Sequence, residues 1–352
     1  MKITDIKFQK MSFSFDEPFH IAFAVISGYD TLVLRIETDE GIVGYGEAAP
    51  LEYVTGETLD IVELMGKYYR EKLLGENPLA ISKIHQIMDH VAGNTSIKAA
   101  IDMACYDIAA KKMGVPLWQY LGGAKNQIIS DVTLGIDTPE RMAQKAVEWK
   151  EKGFTELKVK LGEDIETDYM RMEAIREAVG ADICLRIDAN QGWNVKEAIK
   201  ISRQLEKLNI DLIEQPVADW DMEGLKRIRD FSLIPIVADE SCHSQFDAGK
   251  LVNCVDGMNI KLMKCGGIFN AMKINAIAEA AGLFCMIGCM GESKIANAAG
   301  MHLAAALTNI KKVDLDVTFF ANGGEVAGGY EVSGCRCTLS NNPGLGIEIP
   351  GF

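Results

Sequence analysis

Apolar and polar positions change rhythm twice along this chain. Residues 30–38 alternate one by one, Asp39-Glu40-Gly41 makes a turn and residues 42–47 return, which predicts a β-hairpin. Residues 58–74 and 78–91 take helical spacing. Residues 96–113 form a stronger helix with an Ala-rich face, closed by Gly114 with Pro116 just beyond. The chain up to about Gly123 therefore reads as an α+β unit of antiparallel strands followed by helices.

From about residue 128, short apolar strands alternate with amphipathic helices. Strands are expected at 130–135, 156–161, 183–188, 212–214, 235–238, 257–262, 283–287 and 313–316. Helices at 139–152, 165–179, 195–208, 222–230, 245–252, 268–281 and 294–307 fall between them. Strand–helix alternation implies right-handed parallel crossovers, and eight strands point to a closed TIM-type (β/α)7-8 barrel. A doubly wound open sheet is the alternative, but no strand is followed by a Gly-rich dinucleotide fingerprint. The Gly-rich remainder leaves this rhythm and is expected to fold back over another part of the chain. The division read from these patterns is an N-terminal α+β capping domain at 1–125, a barrel at 126–318 and a returning C-terminal segment at 319–352.

The length of 352 residues agrees with about two domains. With 36 basic against 50 acidic residues the net charge is −14. That excludes the basic footprint that nucleic acid or an anionic membrane would need. The start, Met1-Lys2-Ile3-Thr4-Asp5, has no apolar stretch behind it, and no run reaches a membrane span, so a cytoplasmic protein is expected. The nine cysteines follow no secreted or zinc spacing and read as reduced thiols. A homo-oligomer is compatible with all of this.

The chemistry lies where apolar strands end in charge. In a parallel barrel the C-terminal strand ends build the active site. Strand 156–161 sets Lys158 and Lys160 on the face opposite Leu157, Val159 and Leu161, so both lysines point into the barrel. The next three strands end on Asp188, Glu214 and Asp239, spaced 26 and 25 residues apart, one strand-plus-helix unit each. Taken singly, each acid reads as a helix N-cap. Taken together at matched spacing, they read as a metal site, and an all-oxygen set suits Mg²⁺, with Mn²⁺ as the alternative. Lys261 faces inward from the following strand, placing a lysine on each side of the triad; Lys264, in the loop beyond, is its rival. A lysine beside a dication loses proton affinity and can act as a base.

Lys158-x-Lys160, Asp188-Ala-Asn190, Glu214-Gln-Pro216, Asp239-Glu-Ser241 and Asn259-Ile-Lys261, with Gly44-Tyr45-Gly46-Glu47-Ala48 in the N-terminal unit, resemble the muconate-lactonising branch of the enolase superfamily over nearly the whole chain. The resemblance implies Mg²⁺ on Asp188, Glu214 and Asp239, acid/base lysines at Lys160 and Lys261, and a cap built from both terminal segments that selects the substrate. A lysine on each face lets one take a proton beside a carboxylate and the other return it, inverting the centre; Lys158 supports the electrophilic side. Within this branch, Asp314-x-Asp316 resembles the pair that holds the α-ammonium in dipeptide epimerases such as the L-Ala-D/L-Glu epimerases. The expected substrate is therefore a small dipeptide, with Thr133, Cys289 and Gly291 beside it. Two carboxylates would repel the anionic groups that muconate cycloisomerase, o-succinylbenzoate synthase and N-succinylamino acid racemase handle, which are the alternatives within the branch. A non-catalytic metal-binding barrel and a Schiff-base aldolase using Lys160 are the alternatives of another class.

The second side chain is expected to meet a cap loop at residues 19–26. The resemblance implies that relatives using L-Ala-L-Glu place an arginine there; the aligned position here is Ala24, and the segment holds no Arg or Lys. An apolar second residue is expected, with a cationic one, drawn by Glu52, as runner-up.

Overall fold

The computed structural model describes the whole chain except Glu325. It opens with a long antiparallel meander: β1 (Ile3–Ile21), β2 (Ala24–Thr38) and β3 (Val43–Ala48). The hairpin of residues 30–47 is its second half. β1 escaped the sequence reading because Lys7, Lys10, Asp16 and Glu17 interrupt its apolar alternation, although Met11, Phe13 and their neighbours do alternate in burial. Residues 19–26, expected as a loop, are the tip of the β1–β2 hairpin, turning at Ala22-Phe23.

Helices Leu59–Leu73, Ile81–Met88 and Thr95–Met113 pack on this sheet. The last is buried almost all round, and its Ala100 and Ala104 backbones lie so close to β3 that a Cβ on Gly44 or Gly46 would strike their carbonyls. That close approach accounts for the two glycines flanking Tyr45.

After the short β4 (Gln127–Ile129), eight parallel strands follow in one sheet: β5 (Val132–Leu134), β6 (Glu156–Lys160), β7 (Cys184–Asp188), β8 (Ile210–Glu214), β9 (Ile236–Ala238), β10 (Gly257–Ile260), β11 (Phe284–Gly288) and β12 (Ile310–Asp314). Each neighbours the next in chain order, and helices lie between them, as right-handed crossovers require. The seam between β5 and β12 is joined by the Asp131 N–H donating to the Val313 carbonyl and the Leu315 N–H donating to Ser130 Oγ. The chain is thus a TIM-type barrel under an antiparallel cap, not an open doubly wound sheet.

β12 begins three residues earlier than the pattern indicates. Lys311 and Lys312 obscure its start, yet Lys312 reaches Asp211 at 2.6 Å. β10 stops at Ile260 because Leu262–Cys265 turns helical. Beyond the barrel, β13 (Ala321–Asn322) adds to the edge of β1, and Arg336–Leu339 pairs with β4. No helix among the described residues is long and apolar enough to cross a membrane.

Candidate active site

β7 ends on Asp188, β8 ends on Glu214, and Asp239 follows the last residue of β9. Register does the positioning: Lys160 pairs opposite Asp188, and Asp188 opposite Glu214, so these side chains stand abreast at the barrel mouth. One oxygen from each of Asp188, Glu214 and Asp239 lies within 4.8 Å of the others, and all three residues are buried.

Three charges this close cannot be equivalent. Burial and the Asp188 charge push Glu214 up to about 8. Against its burial, the ammonium groups of Lys158 and Lys160 pull Asp188 down to about 2. Lys158 Nζ sits 2.9 Å from Asp188 Oδ2, 2.8 Å from Glu214 Oε2 and 2.7 Å from Asp314 Oδ2, fully enclosed.

Other neighbours aim the acids. Asn259 Nδ2 donates to Glu214 Oε1 at 2.5 Å. Gln215 Oε1 accepts the N–H groups of Asp239 at 2.9 Å and Ser241 at 3.1 Å. Gln215 has φ 35°, and Asn190 and Gln191 after Asp188 have φ 41° and 69°, so the chain bends sharply behind two of the acids. Glu214 Oε2 and Asp239 Oδ2 are shut off from solvent and meet only the ammonium groups of Lys158 and Lys261, each at 2.8 Å. A buried all-oxygen set of three carboxylates, converging within 4.8 Å, fits a hard divalent cation.

The lysines separate by exposure. Lys160 approaches Asp188 at 2.7 Å from one side, and Lys261 approaches Asp239 at 2.8 Å from the other. Their side chains keep 12% and 11% exposure and line a cavity of about 140 Å³. Lys264 is sealed behind Asp239, donating to its Oδ1 and carbonyl and to the Asn259 carbonyl at 3.2 Å. That geometry gives Lys264 a positioning role and leaves Lys261 facing the cavity. Burial lowers Lys261, but the Asp239 charge outweighs it and holds the ammonium above the usual lysine range. Beside its carboxylate alone, then, Lys261 lacks the depression expected of a base next to a dication.

Asp314 and Asp316 line the same cavity, with Asp316 two residues past β12. Asp316 Oδ2 accepts the Thr133 N–H at 2.6 Å, and Thr133 Oγ1 is 3.4 Å from Asp314 Oδ1. Burial and the Asp314 charge push Asp316 up to about 7. Cys289 and Gly291 line the wall between; a Cβ on Gly291 would lie 2.6 Å from the Tyr29 ring.

Several lining residues escaped the sequence reading. Asn190 donates to Glu240 Oε1 at 3.0 Å, beside the triad. Both stand within two residues of a triad acid, a proximity visible in the sequence. The cap contributes Phe15, Phe19, Ile21, Phe23, Ile26, Leu51, Tyr53 and Val54 to the cavity lining, joined by Phe320 from the C-terminal segment. Ala24 is not among the lining residues, and Glu52 is exposed and also outside the lining. The carboxylate expected to favour a cationic side chain therefore does not face the cavity.

Two family models match the chain: Mandelate racemase / muconate lactonizing enzyme, N-terminal domain, over residues 3–122, and Enolase C-terminal domain-like, over residues 141–351. The chain belongs to the mandelate racemase/muconate lactonizing enzyme family. Among its relatives, the hydrophobic dipeptide epimerase of Enterococcus faecalis is 48% identical, covering 99% of this chain and all of the relative. The L-Ala-D/L-Glu epimerase of Clostridium acetobutylicum is 41% identical, with 99% of each chain covered. A solved structure of the Enterococcus faecalis dipeptide epimerase with Mg and the dipeptide L-Leu-L-Tyr superposes with a TM-score of 0.97, at 48% identity over 99% of this chain and all of that one.

Proposed function

We propose that this family member is a Mg²⁺-dependent dipeptide epimerase. It inverts the α-carbon of the C-terminal residue by two-base 1,1-proton transfer and prefers an apolar second residue. The observation that carries the reading is the pair of partly exposed lysines flanking a buried carboxylate triad, opposite a second pair of acids.

Asp188, Glu214 and Asp239 would hold the cation; Mn²⁺ has the same donor preference. Bound there, the cation supplies Lewis-acid stabilisation of the charge that develops on the substrate carboxylate. The protein's own groups do the rest. Asp314 and Asp316 hold the α-ammonium, with Thr133 fixing both acids. Lys160 takes the α-proton from one face while Lys261 delivers one to the other, and the roles reverse for the opposite epimer. Lys158 keeps the clustered acids from repelling one another, and Lys264, Gln215 and Asn259 hold the triad in place. A Schiff-base lysine would have no use for three buried acids, and a merely binding barrel would have none for two facing lysines.

The apolar preference is supported by Ile21, Phe23, Ile26, Leu51 and Val54 in the cavity lining and by the absence of Arg or Lys between residues 19 and 26. Incubation of the protein with Mg²⁺ and a dipeptide library in D₂O tests the assignment. Turnover adds one mass unit to the substrate and yields the epimer; no label in any dipeptide would overturn it.

A further inference from the structure

Asp131 lies at the barrel seam, one residue before β5, and is fully buried. Its Oδ2 accepts from Arg186 Nη1 at 2.7 Å. Arg186 is itself held by Glu156 and by Asp211 at 3.1 Å, so this cation is shared among three acids. The other oxygen, Oδ1, has no hydrogen-bond partner although it is closed to solvent. An oxygen of Asp131 lies within 4.8 Å of one from Asp314 and one from Asp316. The seam explains the gathering: Asp131 precedes β5, Thr133 lies on it, and β12 delivers Asp314 and Asp316 across the join.

We propose that Asp131 is a specificity-determining third carboxylate of the ammonium subsite, which makes the site reject N-acylated substrates. The inference rests on the epimerase reading and adds to it a residue and a substrate restriction. Asp314 and Asp316 would suffice to bind an ammonium. Behind them, Asp131 leaves the cluster short of positive charge, since Arg186 and Lys312 serve the three acids Asp131, Glu156 and Asp211 between them, and Lys158 is divided among Asp188, Glu214 and Asp314. A free α-ammonium supplies the missing charge. An acylated nitrogen, neutral and with one N–H, leaves a buried carboxylate uncompensated. Burial and the Asp314 and Asp316 charges also push the Asp131 carboxyl well up, so a cation at this point favours its ionised form.

The test is Asp131→Asn, which removes the charge and keeps an oxygen acceptor for Arg186. Titration calorimetry with Mg²⁺ present compares L-Leu-L-Phe with N-acetyl-L-Leu-L-Phe, and a D₂O assay reads turnover of both. The wild type should bind the free dipeptide at least 100-fold more tightly. In the variant, Kd and KM for the free dipeptide should rise about tenfold with kcat within twofold, while binding of the acetylated one holds or improves. Equal weakening for both ligands would mean a structural role only and would overturn the proposal, as would unchanged discrimination. If the variant fails to fold, Asp131→Asn with Arg186→Gln, which leaves no lone buried cation, carries the same comparison. Discrimination in binding without turnover by the wild type would overturn the epimerase reading and leave this one intact.

Discussion

The selectivity for the second side chain follows from what the hairpin tip lacks. Compare L-Ala-L-Phe with L-Ala-L-Glu. Seating a phenylalanine ring among Ile21, Phe23, Ile26, Leu51 and Val54 gains about 1.5–3 kcal/mol from burial. A glutamate carboxylate at the same place loses water and meets no free cation, because Lys160 and Lys261 are engaged with Asp188 and Asp239. Full burial of an unpaired charge would cost several kcal/mol. Phe23 is 46% exposed, so the cavity beside it stays partly wet and about 2 kcal/mol is the better figure. The sum, about 3.5–5 kcal/mol, corresponds to roughly 300- to 4,000-fold in kcat/KM. Circular dichroism or mass-resolved exchange in D₂O measures both substrates under the same conditions. Installing a cation by Ile21→Arg should narrow the gap by raising kcat/KM for L-Ala-L-Glu and lowering it for L-Ala-L-Phe. A wild-type kcat/KM for L-Ala-L-Glu equal to or above that for L-Ala-L-Phe would refute the reasoning while leaving the epimerase assignment standing.

Asp188→Asn, Glu214→Gln and Asp239→Asn should each reduce turnover at least 10³-fold and weaken Mg²⁺ binding by calorimetry; full activity in EDTA would show the triad is not a metal site. Lys160→Ala and Lys261→Ala should each stop epimerisation while one epimer still exchanges its α-proton, whereas Lys264→Ala should lower metal affinity; an active Lys261→Ala with a dead Lys264→Ala would exchange their roles. His302 is buried and neutral, accepting the Trp118 N–H on Nδ1 at 3.0 Å with Nε2 facing the Leu345 carbonyl at 3.3 Å; burial lowers it from 6.5 to about 4. A base depressed in the folded state leaves its stability contribution intact above pH 6.5 and loses it as pH falls towards 4, by about 3 kcal/mol in all. Thermal melts between pH 7 and pH 4.5 should therefore fall less steeply for His302→Gln than for the wild type, and parallel slopes would count against it.

The barrel was legible because period and spacing report it directly. Helix Ile165–Val179 falls where its spacing predicts, and the strand-end acids recur at the interval of one βα unit. Lys158 and Lys160 were readable as inward-facing because alternation fixes the face of a strand residue. β1 was not legible, since charged residues on its solvent face interrupt the alternation. Asp131 was invisible for a different reason. In sequence it lies 183 residues from Asp314, and only closure of the barrel between the first and last strands brings them together. The hairpin tip was readable in composition but not in shape: the missing arginine shows in the sequence, while the pairing of Ile21 with Ala24 and of Phe19 with Ile26, which sets these side chains on one face, depends on the β1–β2 register, and of the four Ala24 alone is absent from the cavity lining.

That register explains how one scaffold holds the chemistry still while the cap selects. The cap is locked to the barrel by buried acids. Glu47 on β3 accepts the N–H groups of Ser293 at 2.9 Å and Ala296 at 3.1 Å, at the start of helix Lys294–Ala306. Asp102 accepts those of Ile268 at 2.5 Å and Phe269 at 3.3 Å, at the start of helix Ile268–Ala280. Negative groups at helix N-termini meet unpaired donors and the positive end of the dipole, so these ties are strong and directional. They fasten the body of the cap beside the loops that carry Lys264 and Cys289. Beyond the bulge between Ser14 and Phe19, by contrast, the hairpin tip is held by the pairs Phe19↔Ile26, His20↔Val25 and Ile21↔Ala24. Ile21, Phe23 and Ile26 thus touch the cavity from an element whose sequence the buried ties do not constrain. Substitutions there should move KM and the choice of second residue, whereas loss of Glu47 or Asp102 should loosen the site for every dipeptide alike.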